Sequence, residues 1–232
     1  MRPFLTFILL LNGGLLFGQN FAYPSIKQKG FSIKDFVPPG WTILDSAMGD
    51  LNNDKQLDVI LILQHIDSVS LVNNEDDITD TVLTQPRVLL ILFKNTSDNL
   101  FHLSEQSNTF ILTHDDPFSD DPYQSTTISK GILQISFYWY PNSGNWFNST
   151  VYKFRYRENN FFLIGVVYEE RNKATHDYNN YSYNFLTKKR ILIIGNDYKK
   201  NKKTEIKSLD TKIPKTLKTL EHTWEVENGV DL

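Results

Sequence analysis

The sequence contains no cysteine, and its five histidines are scattered singly along the 232 residues. The absence of cysteine excludes a disulfide framework, a thiol nucleophile, a zinc–thiolate site and a lipid-modified amino-terminal cysteine. No histidine pair has the spacing of a zinc-protease helix, and no serine lies in a Gly-x-Ser-x-Gly elbow. If the chain is exported, it must therefore be stabilised by its core, by bound ions, or by both.

Long apolar runs are also few, and the most extended one is at the amino terminus. Residues 4–17 are mostly apolar, follow the positive start Met1-Arg2 and precede Gly18-Gln19. This is the pattern of a signal peptide, and the run is short for a transmembrane helix, which needs about 20 residues. We predict a signal over residues 1–18, cleaved rather than retained as an anchor helix. The mature protein would then be secreted or periplasmic, with no membrane span.

The remaining chain lacks helical periodicity, and its apolar pattern repeats every two residues. Residues 132–140 and 150–157 alternate between an apolar and a polar face, and Asn159-Asn160 fits a tight turn after the second of these. The unbroken apolar runs 59–63 and 88–93 are typical of strands covered on both faces. No segment has the length and period of a crossover helix.

The sequence therefore predicts an all-β fold of antiparallel sheets in one domain over residues 19–232. A small propeller-like assembly and a sandwich both remain open. We predict one short amino-terminal helix at 32–36, with Ser32 as its N-cap and Pro38-Pro39 after it. Further strands are predicted at 41–48, 100–105, 161–168, 181–186, 191–194 and 219–226.

Three polar segments are predicted to connect these strands. Residues 64–86 and 113–126 are acidic, and 196–215 form a lysine-rich linker. Residues 1–150 carry 8 Lys and Arg against 16 Asp and Glu, whereas residues 151–232 carry 16 against 11. A lysine run can bind nucleic acid, but this one has no aromatic platform beside it, so we favour a solvated loop and predict no nucleic-acid partner.

One segment has the pattern of an ion-binding loop. Between residues 49 and 59, oxygen-bearing side chains recur at every second position, and a strand follows directly. They belong to Asp50, Asn52, Asp54 and Asp58, and Gln56 can add its backbone carbonyl. Hard cations such as Ca²⁺ take six to eight oxygen ligands, and this alternation turns successive oxygens toward one point. The alternative is a solvated Asx turn that binds no ion.

This segment resembles the FG-GAP or VCBS repeat of integrin-like β-propellers. Those repeats read approximately D-x-[ND]-x-D-G-x-x-D-[LV], with a strand on each side. Thr42 to Ser46, Gly49-Asp50 and Asp58-Val59 fit that frame, whereas Lys55 stands where the repeat has glycine. The resemblance implies calcium as the bound ion. A lysine costs about 1–2 kcal/mol if that position needs a left-handed backbone.

No second copy of the repeat is found, so a full propeller is excluded and one degenerate repeat in a smaller β assembly is predicted. The whole chain also resembles a class of exported bacterial β-rich proteins. That likeness rests on three short patterns: Phe-Arg-Tyr at 154–156, Leu-Ile-Gly at 163–165 and Asn-Phe-Leu-Thr-Lys at 184–188. It implies no activity.

Two function classes remain open. The favoured one is a non-enzymatic exported module that binds a protein or a glycan, with calcium holding the 49–59 loop. The alternative is a small exported hydrolase that uses acidic residues of segments 64–86 and 113–126. Tyr138, Tyr140, Trp146 and Phe147 are candidates for stacking on a sugar, although cross-strand packing explains such aromatics more often.

Overall fold

The computed structural model describes residues 21–75, 78–116, 119–141, 143–210 and 215–220. The predicted signal at 1–18 lies outside these residues. The all-β, antiparallel fold is confirmed: the described strands form three antiparallel sheets, of five, seven and two strands. Within the described ranges, no helix is long and apolar enough to cross a membrane.

The first half of the chain forms the five-stranded sheet, in the order β1-β7-β6-β3-β2. Its strands are β1 (Lys29–Gly30), β2 (Trp41–Gly49), β3 (Asp58–His65), β6 (Arg87–Lys94) and β7 (Phe101–Ser107). The strands β4 (Val69–Glu75) and β5 (Ile78–Thr84) pair as a separate hairpin, which lies between β3 and β6 in the sequence.

The second half forms a seven-stranded sheet in which every strand pairs with its neighbour in sequence. Its strands are β8 (Tyr123–Ser129), β9 (Ile132–Trp139), β10 (Trp146–Arg157), β11 (Asn160–Asn172), β12 (Asp177–Asn184), β13 (Lys189–Asn196) and β14 (Lys199–Ser208). The β10–β11 turn consists of Glu158 and Asn159, both with positive φ, one residue earlier than predicted. Tight hairpins require such backbone angles.

The main core lies between the two large sheets. Alternate residues of β3 and β6 face the inner sides of β9, β10 and β11 in one continuous cluster. Phe110, which follows β7, is fully buried there, with ring centroids 5.4 Å from Tyr152 and 5.3 Å from Phe154. The inward residues predicted for 132–140 and 150–157 thus form the core, except that Trp139 is 39% exposed.

The opposite face of the five-stranded sheet is covered by the amino-terminal segment. Ile26 and Phe36 pack on the other alternate residues of β3 and β6, in a second cluster. This confirms that the apolar runs 59–63 and 88–93 are strands buried on both faces. The predicted helix at 32–36 is wrong as an α-helix, because only one 3₁₀ turn forms (Ile33–Phe36). The Ser32 backbone N–H donates to Asp35 Oδ2 at 2.9 Å and holds this turn.

The edges of the two large sheets meet along β2 and β8. Asp45 Oδ2 in β2 accepts the Tyr123 hydroxyl at 2.6 Å and the Thr126 backbone N–H at 3.0 Å, both from β8. One carboxylate thus fastens one sheet to the other at this side.

The three segments that were predicted as polar connections contain more strand structure than expected. Segment 64–86 contains the β4–β5 hairpin, 113–126 runs into β8, and 196–215 contains the edge strand β14. Polar strands that bury one face or none give a weak apolar signal, which is why alternation missed them. The strand predicted at 219–226 is wrong at its start, since 217–219 form a turn. Residues 221–226 lie outside the described part.

Replacing Phe110 by alanine should destabilise the fold by about 3–5 kcal/mol, because a fully buried ring between the sheets leaves a cavity. Urea unfolding followed by tryptophan fluorescence measures this as a lower midpoint. The matched control is Phe31→Ala, since that ring is 83% exposed. We expect the control to change the unfolding free energy by less than about 0.5 kcal/mol. Equal losses in both variants would contradict this description of the core.

Candidate functional site

The loop predicted to bind an ion joins two neighbouring strands of the five-stranded sheet. Gly49, the last residue of β2, pairs with Asp58, the first residue of β3. Residues 50–57 therefore close a hairpin, and the ends of the loop are fixed by the ladder between two core strands. The structure brings Asp50, Asn52 and Asp54 together inside this loop.

Backbone amides of the loop converge on the three oxygen-bearing side chains. The Asp50 carboxylate accepts the backbone N–H of Asp54 at 3.2 Å and of Lys55 at 2.9 Å. Asn52 Oδ1 accepts the Asp54 N–H at 3.0 Å, and Asp54 Oδ1 accepts the Gln56 N–H at 2.8 Å. The side-chain oxygens at alternate positions thus accept hydrogen bonds from the backbone of their own loop.

Two residues of the loop have a left-handed backbone. The φ of Asn53 is 64° and the φ of Lys55 is 69°. Asparagine adopts this region readily, whereas a residue with a long side chain pays about 1–2 kcal/mol. Lys55 is the position where the resembling repeat has glycine, so the strain considered from the sequence is present in the loop.

Asp58 has a different environment from the other acidic residues of the loop. It is fully buried; its Oδ2 accepts the Leu51 N–H at 2.8 Å and its Oδ1 accepts the Lys94 N–H at 3.1 Å. Burial raises the pKa of this carboxyl to about 6, against the effect of those two donors. Asp58 therefore anchors the loop to the end of β6, a role that the sequence pattern did not reveal.

A hard cation in the 50–58 loop would need several oxygen ligands around one point. Among the described residues, no group of three or more His, Cys, Asp or Glu side chains is placed to hold a metal ion. A loop of this type also uses an amide and a backbone carbonyl, here from Asn52 and Gln56. A carboxylate has about four acceptor positions, so the hydrogen bonds to Asp50 and Asp54 leave room for a cation. The predicted ligand set of Asp50, Asn52, Asp54, Gln56 and Asp58 stays a prediction.

A second polar site lies at the other end of β3, where the acidic segments meet the sheet. Arg87 at the start of β6 is 3% exposed, and its guanidinium donates to both oxygens of Asp121 at 2.8 and 2.5 Å. Its Nε donates to Gln64 Oε1 at 2.9 Å, and Nη1 donates to the Leu112 carbonyl at 2.6 Å. Burial by itself would raise the pKa of Asp121, but the hydrogen bonds and the charge of Arg87 hold that pKa below its ordinary value.

The sequence predicts that Asp121 lies in an acidic connection, but no role is predicted for Arg87. The available signal was a single arginine directly before the apolar run 88–93. A charged residue at the start of a doubly buried strand needs a buried partner, because an unpaired charge there is very costly. His114 also borders this site, and its Nε2 lies 2.9 Å from the Ser119 carbonyl.

The aromatic group proposed for sugar stacking packs largely on itself. Tyr138 and Tyr140 stack at 6.0 Å between ring centroids, and Phe147 lies 5.3 Å from Tyr140. Lys173 Nζ sits 3.6 Å above the Tyr140 ring. Trp146 is 46% exposed. Cross-strand packing therefore accounts for three of the four rings.

The lysine run is part of strand β14, at the edge of the seven-stranded sheet. Lys199, Lys200, Lys202 and Lys203 are all exposed there. Lysines on an edge strand discourage pairing with a strand of another molecule.

Comparisons with protein-family models, with curated proteins and with solved structures found no match to this chain. The resemblance of residues 42–59 to the FG-GAP repeat accordingly stays a prediction.

The pKa of Asp58 leads to a test by pH. Because the folded-state pKa, about 6, lies above the ordinary aspartate value of 3.8, the folded state binds this proton more tightly than the unfolded state does. In chelator, the free energy of unfolding should therefore rise on going from neutral pH to about pH 5, by an amount on the order of 1 kcal/mol. Urea unfolding at the two pH values measures it.

Asp58→Asn should remove this contribution, because the amide does not titrate. The control is Asp67→Asn, at an exposed position after β3, which should keep the rise seen in the wild type. A wild type whose stability does not rise, or an Asp58→Asn variant that shows the full rise, would contradict the assignment.

Proposed function

We propose that this chain is an exported, non-enzymatic β-rich module that binds a protein or glycan partner and whose 50–58 loop is held by calcium. The observation that carries the proposal is the Asp50 carboxylate, which accepts the backbone N–H groups of Asp54 and Lys55 and so closes the loop around its own oxygens. Export is supported by the pattern of residues 1–18 alone.

Charge within the loop supports a bound cation. Three carboxylates, those of Asp50, Asp54 and Asp58, lie within nine residues, and the only lysine of the loop is exposed. The charge of Asp54 contributes to the raised pKa of Asp58, so these two carboxylates repel each other. A divalent cation between them would turn that repulsion into attraction.

The position of the loop supports a structural role for the ion. All candidate ligands belong to one connection between β2 and β3, and Asp58 at its end is buried against Lys94 of β6. A cation there would order the ends of three core strands. Catalytic metal sites instead keep an open coordination position toward a substrate cavity.

The hydrolase alternative has less support among the described residues. The described cavity beside segments 64–86 and 113–126 is lined by one carboxylate, Asp121, and that carboxylate is bound to Arg87. Glycoside hydrolysis commonly needs two carboxylates, one of them with a raised pKa to act as an acid. Arg87 instead holds the pKa of Asp121 below its ordinary value.

Calcium should raise the melting temperature of the protein. Extracellular sites of this kind have dissociation constants of about 10⁻⁴–10⁻³ M, and the strain at Lys55 favours the weak end. Calcium at about ten times that constant adds about 1.4 kcal/mol, a shift of about 3–5 °C. Differential scanning calorimetry with calcium, with magnesium and with chelator measures it. Magnesium should give a smaller shift, because it demands octahedral geometry and retains its waters.

Two loop variants and one matched control make this test specific. Asp50→Ala combined with Asp54→Ala should abolish the calcium shift, and Lys55→Gly should enlarge it because the strain at φ 69° is relieved. Lys188→Gly relieves the same strain at φ 51° in the β12–β13 turn and should leave the shift unchanged. If the wild type shows no shift, or the double variant shifts equally, the loop is an ordinary turn.

Export is tested by the amino terminus of the secreted protein. Mass spectrometry of material recovered from outside the cytoplasm of the native host should place Gln19, free or cyclised to pyroglutamate, at or near the first position. The reason is the small Gly18 before it, at the end of the apolar run. Intact Met1 on cytosolic protein would contradict export.

A further inference from the structure

A polar cavity of about 280 Å³ opens where the five-stranded sheet, the β4–β5 hairpin and the connection before β8 meet. It is lined by residues of five separate parts of the chain, among them Gln64 of β3, Gln85 after β5, Arg87 of β6 and Asp121 before β8. Ligand pockets for drug-sized molecules have volumes of about 300–1,000 Å³. This cavity therefore suits a smaller ligand.

The polar groups of the cavity are held in place before any ligand enters. Gln64 Nε2 donates to Gln85 Oε1 at 2.9 Å, and Gln85 Nε2 donates to the Ile66 carbonyl at 2.9 Å. Gln64 Oε1 in turn accepts from Arg87 Nε, and Arg87 is clamped by Asp121. Because each side chain is fixed by the next, a ligand would not have to order them, which favours binding.

The charges of Arg87 and Asp121 are paired in the cavity, which presents hydrogen-bond donors next to acceptors. The Arg87 guanidinium has five N–H groups, and the structure assigns four of them to Gln64, Leu112 and Asp121. Asp121 Oδ2 accepts one N–H and keeps a further acceptor position. A donor beside an acceptor matches vicinal hydroxyl groups. A charged ligand would meet repulsion from Asp121 or from Arg87.

A small apolar surface borders these polar groups, since most of the cavity lining is polar. Leu83 is 69% exposed and Leu44 is 38% exposed, and both line the cavity. A ligand with one apolar face and an edge of hydroxyl groups satisfies both surfaces, and a pyranose ring has this form. A purely polar ligand would leave the two leucines in water.

We propose that this cavity binds one neutral sugar unit of a glycan. This inference rests on the proposed binding function and names the glycan as its partner, recognised by Gln64, Gln85, Arg87 and Asp121 with Leu44 and Leu83 against the ring face. A single sugar is small, so its dissociation constant should be on the order of 1 mM.

The test is a titration of the isotope-labelled mature chain with the methyl glycosides of glucose, galactose, mannose and N-acetylglucosamine. Two-dimensional amide NMR spectra report which residues respond. At least one glycoside should shift the amides of Gln64, residues 83–85, Arg87 and Asp121 in a saturable way. Gln85→Leu should weaken that binding at least tenfold, because it removes the amide while keeping the side-chain size.

Gln134→Leu is the matched control, since Gln134 lies on the outer face of β9, away from the cavity. It should leave the dissociation constant unchanged. If the spectrum of Gln85→Leu shows that it is unfolded, Leu83→Ser replaces it. That exposed substitution should weaken binding several-fold through loss of the apolar face.

Three results would overturn the proposal: no glycoside shifts the cavity amides, the shifts occur only elsewhere, or the cavity variants bind as well as the control. Failure of the proposed function is read separately, by adding calcium to the same samples. Shifts of the 50–58 amides with calcium but none with glycosides would remove the sugar site and leave the calcium-held module intact. Shifts only around Tyr140 would keep a glycan partner and move it to another surface.

Discussion

The structure depends on two adjacent strands, β3 and β6, that are shielded from water on both faces. From Val59 to Leu63 and from Val88 to Leu92, every residue is buried. A two-sided apolar strand pair needs a cover on each side. The seven-stranded sheet is one cover, and the amino-terminal segment around Ile26 and Phe36 is the other. The remaining strands, the edge contact through Asp45 and the polar sites are arranged around this pair.

The candidate ion loop acquires its significance from the same constraint. Asp58 is the first residue of β3, so its carboxylate is carried into the core with the strand and must find donors there. Leu51 and Lys94 supply them, and they connect the loop to the end of β6. Burial disfavours the charge of the Asp58 carboxylate. A cation at Asp50 and Asp54 would favour that charge, and would therefore act on the strand pair itself.

The order of apolar and polar residues along the chain predicts some features of the structure and misses others. The runs 59–63 and 88–93 predicted doubly covered strands, because burial on both faces removes every polar residue from a strand. The edge strand β14 escaped prediction because its side chains meet solvent and can all be polar. The oxygens from Asp50 to Asp58 are close in sequence and were recognisable there. The cavity of Gln64, Arg87 and Asp121 joins residues up to 57 positions apart in the sequence, so it exists only after the sheets have packed.

The central claim is that calcium in the 50–58 loop stabilises the β3–β6 pair and not only the loop. Native-state hydrogen exchange, measured with calcium at about ten times its dissociation constant and again with chelator, tests this claim most directly. The amides of Ile60–Leu63 and Leu89–Leu92 are fully buried and should exchange only through global unfolding. Calcium should therefore slow their exchange about tenfold, the same factor that it adds to global stability. Slowing confined to residues 51–57, or absent throughout, would contradict the account.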